Sequence, residues 1–179
     1  TPSKVDFIKF VVIALGVVFG FPIFTTVAMT NGSSSHGAVI LGMMPLATTV
    51  SGVLRFKERP SLGFWLVSLL GAGLVVVYAL LKSSGSFTYI DGLLVLGGIS
   101  ACIGYVEGGE LSRKMNPRAV ISWALVISLP LNIVMTWLTY NPQYLGAGAV
   151  AWTSFIYLSL FPMFLGFFFW YEGLAIGGI

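Results

Sequence analysis

A chain of 179 residues in which 57% are hydrophobic and only 8% are charged carries too few charged side chains to clothe a soluble domain of its size. Its formal charge of +3 would suggest a nucleic-acid partner in a soluble protein; here the basic residues act as topology signals beside anionic lipid, and no nucleic acid is expected. Mean hydropathy is +0.96, and the single thiol, Cys102, excludes an internal disulfide.

Eight of the nine basic residues fall in three places: Lys4 and Lys9; Arg55, Lys57 and Arg59; Arg113, Lys114 and Arg118. Basic clusters on every second loop are what the positive-inside rule produces when helical hairpins cross a bilayer, so six crossings are expected with these loops in the cytoplasm. A span requires roughly 20 apolar residues. Segment one, 10–29, enters from Lys4 and Lys9 and leaves through the Gly- and Ser-rich loop 30–35. Segment two, 36–54, ends at Arg55, and the turn Lys57-Glu58-Arg59-Pro60 leads into segment three, 61–81. Lys82 is the one basic residue on the outer side, next to the Ser/Gly run 83–86. Asp91 opens segment four, 91–112; Arg113, Lys114 and Asn116-Pro117 return the chain to the cytoplasm. Segment five is 119–139, Asn141-Pro142 makes an outer turn, and segment six occupies most of 148–172. Trp65, Trp123, Trp137, Tyr89, Tyr140 and Tyr144 lie near span ends, where interfacial aromatics belong.

The connections are too short for a soluble domain, and no signal-peptide cleavage site follows the first segment. The expected fold is therefore an all-α, polytopic transmembrane helix bundle of six spans, multi-pass in a bacterial inner (plasma) membrane. Gly16-xxx-Gly20, Gly104-xxx-Gly108 and Gly71-Ala72-Gly73 read as helix-packing seams. Pro22, Pro45, Pro130 and Pro162 fall inside spans and are candidate kinks.

Taken together, 36–81 carries a recognisable pattern. His36-Gly37-Ala38-Val39 is followed by Pro45-Leu46 mid-span, by Lys57-Glu58-Arg59-Pro60, and by Gly71-Ala72-Gly73-Leu74 in the next helix. This resembles the EamA repeat of the drug/metabolite transporter superfamily, with Lys57 standing where that repeat usually has Gly. Gly104-Tyr105 followed by Leu111-Ser112-Arg113-Lys114 is similar to the opening of a second repeat. The resemblance implies a ten-helix plan of two inverted repeats of five. Residues 1–82 would then be the last three helices of the first repeat and 83–179 the first three of the second, two helices being missing at each end. Segments one and six become equivalent positions, and both carry a Gly-Phe pair, Gly20-Phe21 and Gly166-Phe167, on spans of opposite direction.

Enzyme motifs are absent: there is no H-E-x-x-H, G-x-S-x-G, P-loop or pair of membrane aspartates, so no enzymatic activity, cofactor or metal site is expected. His36, alone at a span start, reads as interfacial or capping. Among the acidic residues, Glu110 has Arg113 and Lys114 at i+3 and i+4. Glu107 is deeper, about 9 Å along the axis from Arg113, and its own helix has no basic residue one turn away. It continues a face of small and polar residues, Ser100, Gly104 and Glu107, which suits either a substrate pathway or a close helix seam. Glu172 follows Trp170 and Tyr171 at the inner end of segment six. Ser128 and Asn132 share a face beside Pro130, where Asn132 is expected to bond a neighbouring helix or a carbonyl freed by the proline.

No Lys or Arg lies in a span interior, so nothing would hold a phosphate in low dielectric. Neutral, zwitterionic or cationic small molecules suit the carboxylates, and aromatic ones could stack on Tyr105, Trp170 or Tyr171. The resemblance implies a secondary-active exporter of small metabolites such as amino acids, working by alternating access, with a proton as a possible coupling ion. The expected partners are substrate, lipid bilayer and the missing helices of the same protein. The alternative is a non-transporting membrane scaffold or assembly subunit.

Overall fold

The computed structural model describes residues 4–32, 37, 42, 44–57, 59–82 and 88–177. His36, Glu58, the Ser/Gly run 83–86 and much of the expected start of segment two lie outside the described residues. Among the described residues there are only helices and connecting turns. The first apolar rod comprises α1 (Lys4–Ile13), a π-helical stretch (Ala14–Gly20) and α2 (Phe21–Asn31). Next come α3 (Met44–Phe56), α4 (Leu62–Lys82), α5 (Tyr89–Ser112) and α6 (Pro117–Thr139). A 3-10 turn (Pro142–Gly146) then leads to α7 (Ala149–Leu160), a second π-helical stretch (Phe161–Leu165) and α8 (Gly166–Gly177).

Four described helices are long and apolar enough to cross a membrane: Asp6–Asn31, Tyr89–Ser112, Pro117–Thr139 and Ala149–Gly177. The fold is thus an all-α polytopic bundle. Of the other two expected crossings, segment three is present as α4, with Leu62–Val75 as its described apolar stretch. The described part of segment two is α3 (Met44–Phe56).

Helix boundaries follow local chemistry. The backbone N–H and hydroxyl of Thr88 both donate to Asp91 Oδ2, at 2.7 and 2.9 Å, so the acid reaches back over the first turn of α5. Asn116 caps α6 by accepting from the Arg118 N–H at 3.0 Å, with Pro117 in the first turn, where a proline's missing N–H is harmless. Helix α3 stops at Lys57, whose φ of 56° is the only positive value on a non-glycine among the described residues. Its N–H bonds Val53 O at 2.9 Å, a C-terminal closure that glycine makes without a Cβ penalty. The lysine therefore sits where the EamA pattern usually has Gly. Lys57→Gly is expected to raise the unfolding free energy by about 1 kcal/mol, read as a higher midpoint in detergent; a lower midpoint would refute the strained-cap reading.

Two compact units make up the chain, Thr1–Val11 with Gly108–Gly178, and Val12–Glu107. In the second of these, the first rod and α5 run antiparallel along one another. Gly16 lies on the backbone of Ser100 and Gly104, Gly20 on Ser100, Phe24 and Thr25 on Gly97, and Gly32 on Ile90. Helix α3 runs parallel to α5: Met44 meets Gly98 and the Thr48 hydroxyl meets Cys102 Sγ at 3.2 Å. These are the relative directions that alternating spans require. In the unit containing Gly108–Gly178, α6 packs against α8, Tyr171 covers Gly108, and Phe10 packs beside Trp123. The large apolar side chains left exposed on α4, α6 and α7 suit a lipid solvent.

The glycine seams at Gly16, Gly20, Gly104 and Gly108 are therefore real close approaches, whereas a Cβ at Gly71 or Gly73 would meet nothing within 4 Å. The expected kinks divide similarly. Pro22 and Pro162 accompany π-helical turns. Pro130 lies inside α6, which continues as helix past it, and Pro45 is the second described residue of α3. Asn132 bonds neither a neighbouring helix nor the freed carbonyl: its Nδ2 donates to Ser128 Oγ at 3.1 Å, which donates to Leu125 O at 2.8 Å.

Orientation is checked by single-cysteine labelling with an impermeant reagent in a Cys102→Ser background. Loops 30–35, 83–90 and 140–147 are expected to react from outside, and 55–60 and 113–118 only after permeabilisation. Reaction of a cysteine at position 57 in intact cells would overturn the assignment.

Candidate functional site: a buried carboxylate near the C-terminal end of α5

Helix α5 carries its two glutamates one turn apart near its C-terminal end, and each is engaged by a basic residue from an earlier helix. Glu107 is buried, with a side chain 10% exposed, and its Oε1 accepts from Arg55 Nε at 3.1 Å. Arg55 is in the last turn of α3, where a cation complements the helix dipole, and its side chain remains 60% exposed. Because α3 and α5 run parallel, Arg55 arrives at the depth of Glu107. Above this pair the interface is polar. Thr48 and Thr49 are buried on α3 and bond the carbonyls of Met44 and Pro45, and Thr48 also meets Cys102 of α5.

Glu110 belongs to the other compact unit. Lys114 donates to its Oε1 at 2.6 Å, as the i,i+4 spacing predicts, and Lys9 of α1 donates to its Oε2. This carboxylate is clamped between two ammonium groups, with a structural tie to α1 that spacing along one helix did not reveal.

The remaining sequence-predicted residues separate by environment. Ser100 and Gly104 lie against Gly16, Val17 and Gly20 in close helix contact, with Ser100 half-buried. Tyr171 is fully buried against Gly108, while Trp170 and Glu172 are exposed and Tyr105 is half-buried. Glu107 is the one candidate carboxylate that is both buried and held by a solvent-reaching cation. Arg55 was legible as a topology charge but not as its partner. Matching the depths of residues across spans two and four would have found it.

Small-residue seams between long apolar helices, with ion pairs near the C-terminal ends of α3 and α5, are those of a polytopic membrane protein. Residues 88–179 match the model of the EamA-like transporter family, and the chain belongs to that family. It is 44% identical over 178 residues to "Uncharacterized transporter YdeK" of Bacillus subtilis (strain 168), covering 99% of this chain and 62% of that relative. It is 22% identical over 174 residues to "Uncharacterized transporter YyaM" of the same organism, covering 93% of this chain and 57% of the relative. The chain thus spans about three fifths of the length of these curated relatives. No solved structure matches it. The family and the apolar helices make it a multi-pass protein of the inner membrane.

Proposed function

We propose that this chain is the central part of a secondary-active transporter that exports small metabolites, amino acids or related amines among them, by alternating access. Glu107 serves as the pathway carboxylate near the cytoplasmic mouth. The observation that carries this reading is the Arg55–Glu107 pair. A buried carboxylate is costly in a membrane unless countered, and its partner here is a half-solvated guanidinium from another helix. A substrate ammonium, or a proton, can take the place of such a partner at low cost. Arg55, 60% exposed, returns to water when displaced, while the incoming ammonium or proton keeps the buried carboxylate countered. Ser100 and Gly104 act in this scheme as the packing surface that holds α5. The division into repeats, 1–82 and 83–179, is supported by the matching Gly-Phe pairs of the first and last spans.

The test is flux of a labelled amino-acid and amine panel into vesicles containing the full-length protein. Glu107→Gln is expected to lower flux tenfold or more at unchanged abundance. Glu110→Gln, which breaks the clamp to Lys9 and Lys114, should lower abundance but not flux per molecule. The charge swap Arg55→Glu with Glu107→Arg should restore assembly and not transport, because the carboxylate has left α5. Wild-type flux in both the swap and Glu107→Gln would leave the pair purely structural. No flux from the wild type with any substrate would favour the scaffold alternative.

A further inference from the structure

The first and last spans share a feature that composition does not predict. Each contains a stretch of π-helix, Ala14–Gly20 in one and Phe161–Leu165 in the other. When Gly20-Phe21 is placed on Gly166-Phe167, Ala14–Gly20 falls on residues 160–166, which contain the second stretch. Both stretches hold a backbone bond to the carbonyl five residues back, Phe21 N–H to Gly16 O in the first and Gly166 N–H to Phe161 O in the second, one residue apart in this alignment. The steric demands coincide: a Cβ on Gly20 would lie 2.9 Å from Leu15 O, and one on Gly166 would lie 3.1 Å from Phe161 O. In the same alignment Leu15 and Phe161 coincide. Glycine is favoured at both places because the wide turn brings the carbonyl five residues back close under the Cα, and at Gly20 the Ser100 side chain adds a second obstacle. The glycine of the shared pair therefore has a physical cause in both spans.

A π turn is an α-helix carrying one extra residue, with poorer hydrogen-bond geometry, and such turns mark sites of function or strain. Proline adds to the weakness here. Pro22 follows the first stretch and Pro162 lies within the second, each lacking an N–H for the ladder. The first turn also sits at a close helix contact of its unit, where Gly16 and Gly20 meet Ser100.

We propose that these two π turns are corresponding hinges, at which the first and last spans interconvert between the wide and the regular helical turn. The helix beyond each turn, α2 or α8, swings as a rigid piece. The transport role of this motion rests on the function proposed above; the hinge itself does not.

Deletion of one residue from a π turn restores a regular helix while leaving the flanking faces in register. The full-length protein lacking Val18, or lacking Met163, should therefore accumulate in the membrane with an unchanged or higher melting midpoint. Deletion of lipid-exposed Val126 from the regular helix α6 should instead abolish accumulation. Loss of accumulation in both π-turn deletions, as for Val126, would overturn the assignment of a removable residue. Motion is read without any substrate by alkylation of a cysteine at buried Ala28 on α2 (Ala28→Cys, Cys102→Ser). The rate should fall tenfold or more when Val18 is deleted. An unchanged rate would overturn the hinge even if the protein proves not to be a transporter. Where the wild type shows flux, both deletions should stop it, and wild-type flux in either would assign the turns to packing alone.

Discussion

Gly16→Leu is expected to remove the protein from the membrane fraction almost completely. A Cβ at this position would strike the backbone carbonyl oxygen of Ser100 and lie 3.3 Å from Gly104 N. Neither obstacle is the end of a flexible side chain, so relief requires the first rod and α5 to separate. Separation would forfeit the antiparallel contact from Gly16 to Gly32, which in lipid depends on close packing rather than on water exclusion. Overpacking of this kind costs at least about 1–3 kcal/mol when side chains can adjust, and more where backbone must move. No substitution at Ser100 should rescue it, because the opposing atom belongs to the main chain. Abundance by immunoblot against Gly71→Leu, a glycine that faces open space, provides the comparison. Equal abundance of the two variants would show that the seam does not determine assembly.

Gly108→Ala is the second large effect, and it differs in kind because its obstacle is a side chain. The new methyl group would lie 2.6 Å from the Tyr171 hydroxyl oxygen and closer still to the ring. Tyr171 is fully buried, so the ring has nowhere to turn. The substitution should lower the melting midpoint by several degrees, and Tyr171→Phe should not relieve it, since the ring remains. Tyr171→Ala alone should also destabilise, by on the order of 3 kcal/mol, through the cavity it leaves. The double variant should be less destabilised than the sum of the two, because the added methyl group no longer meets the ring. Strict additivity would mean that Tyr171 is not seated on Gly108.

The membrane class, the described span limits and the relative directions of spans one, two and four were legible in the sequence. Those properties come from lengths, apolar runs and the placement of Lys4, Lys9, Arg55, Lys57, Arg59, Arg113, Lys114 and Arg118. All of these are one-dimensional quantities that a bilayer reads directly. The helix start at Asn116-Pro117 and the end at Lys57 were equally local. The spacing of Gly16, Gly20, Gly104 and Gly108 announced close packing, but spacing names no partner. Gly71 and Gly73 carry the same signature and meet nothing.

Tertiary structure decided which charges meet. Glu107 lacks a basic neighbour on its own helix, yet Arg55 reaches it from a position 52 residues earlier because α3 and α5 run parallel at equal depth. Lys9, apparently a topology charge, holds Glu110 across 101 residues. Tyr171 was legible as an aromatic near a span end, and only the fold shows that it fills the space over Gly108 and has no face left for stacking. The π turns could not be read either, since helical periodicity tolerates one extra residue and the Gly-Phe pairs acquire meaning only when the carbonyl five residues back is in view. Patterns along the chain determine where the helices lie in the membrane. Contacts between helices, set by their direction and by which face lacks a Cβ, determine which of these residues act together.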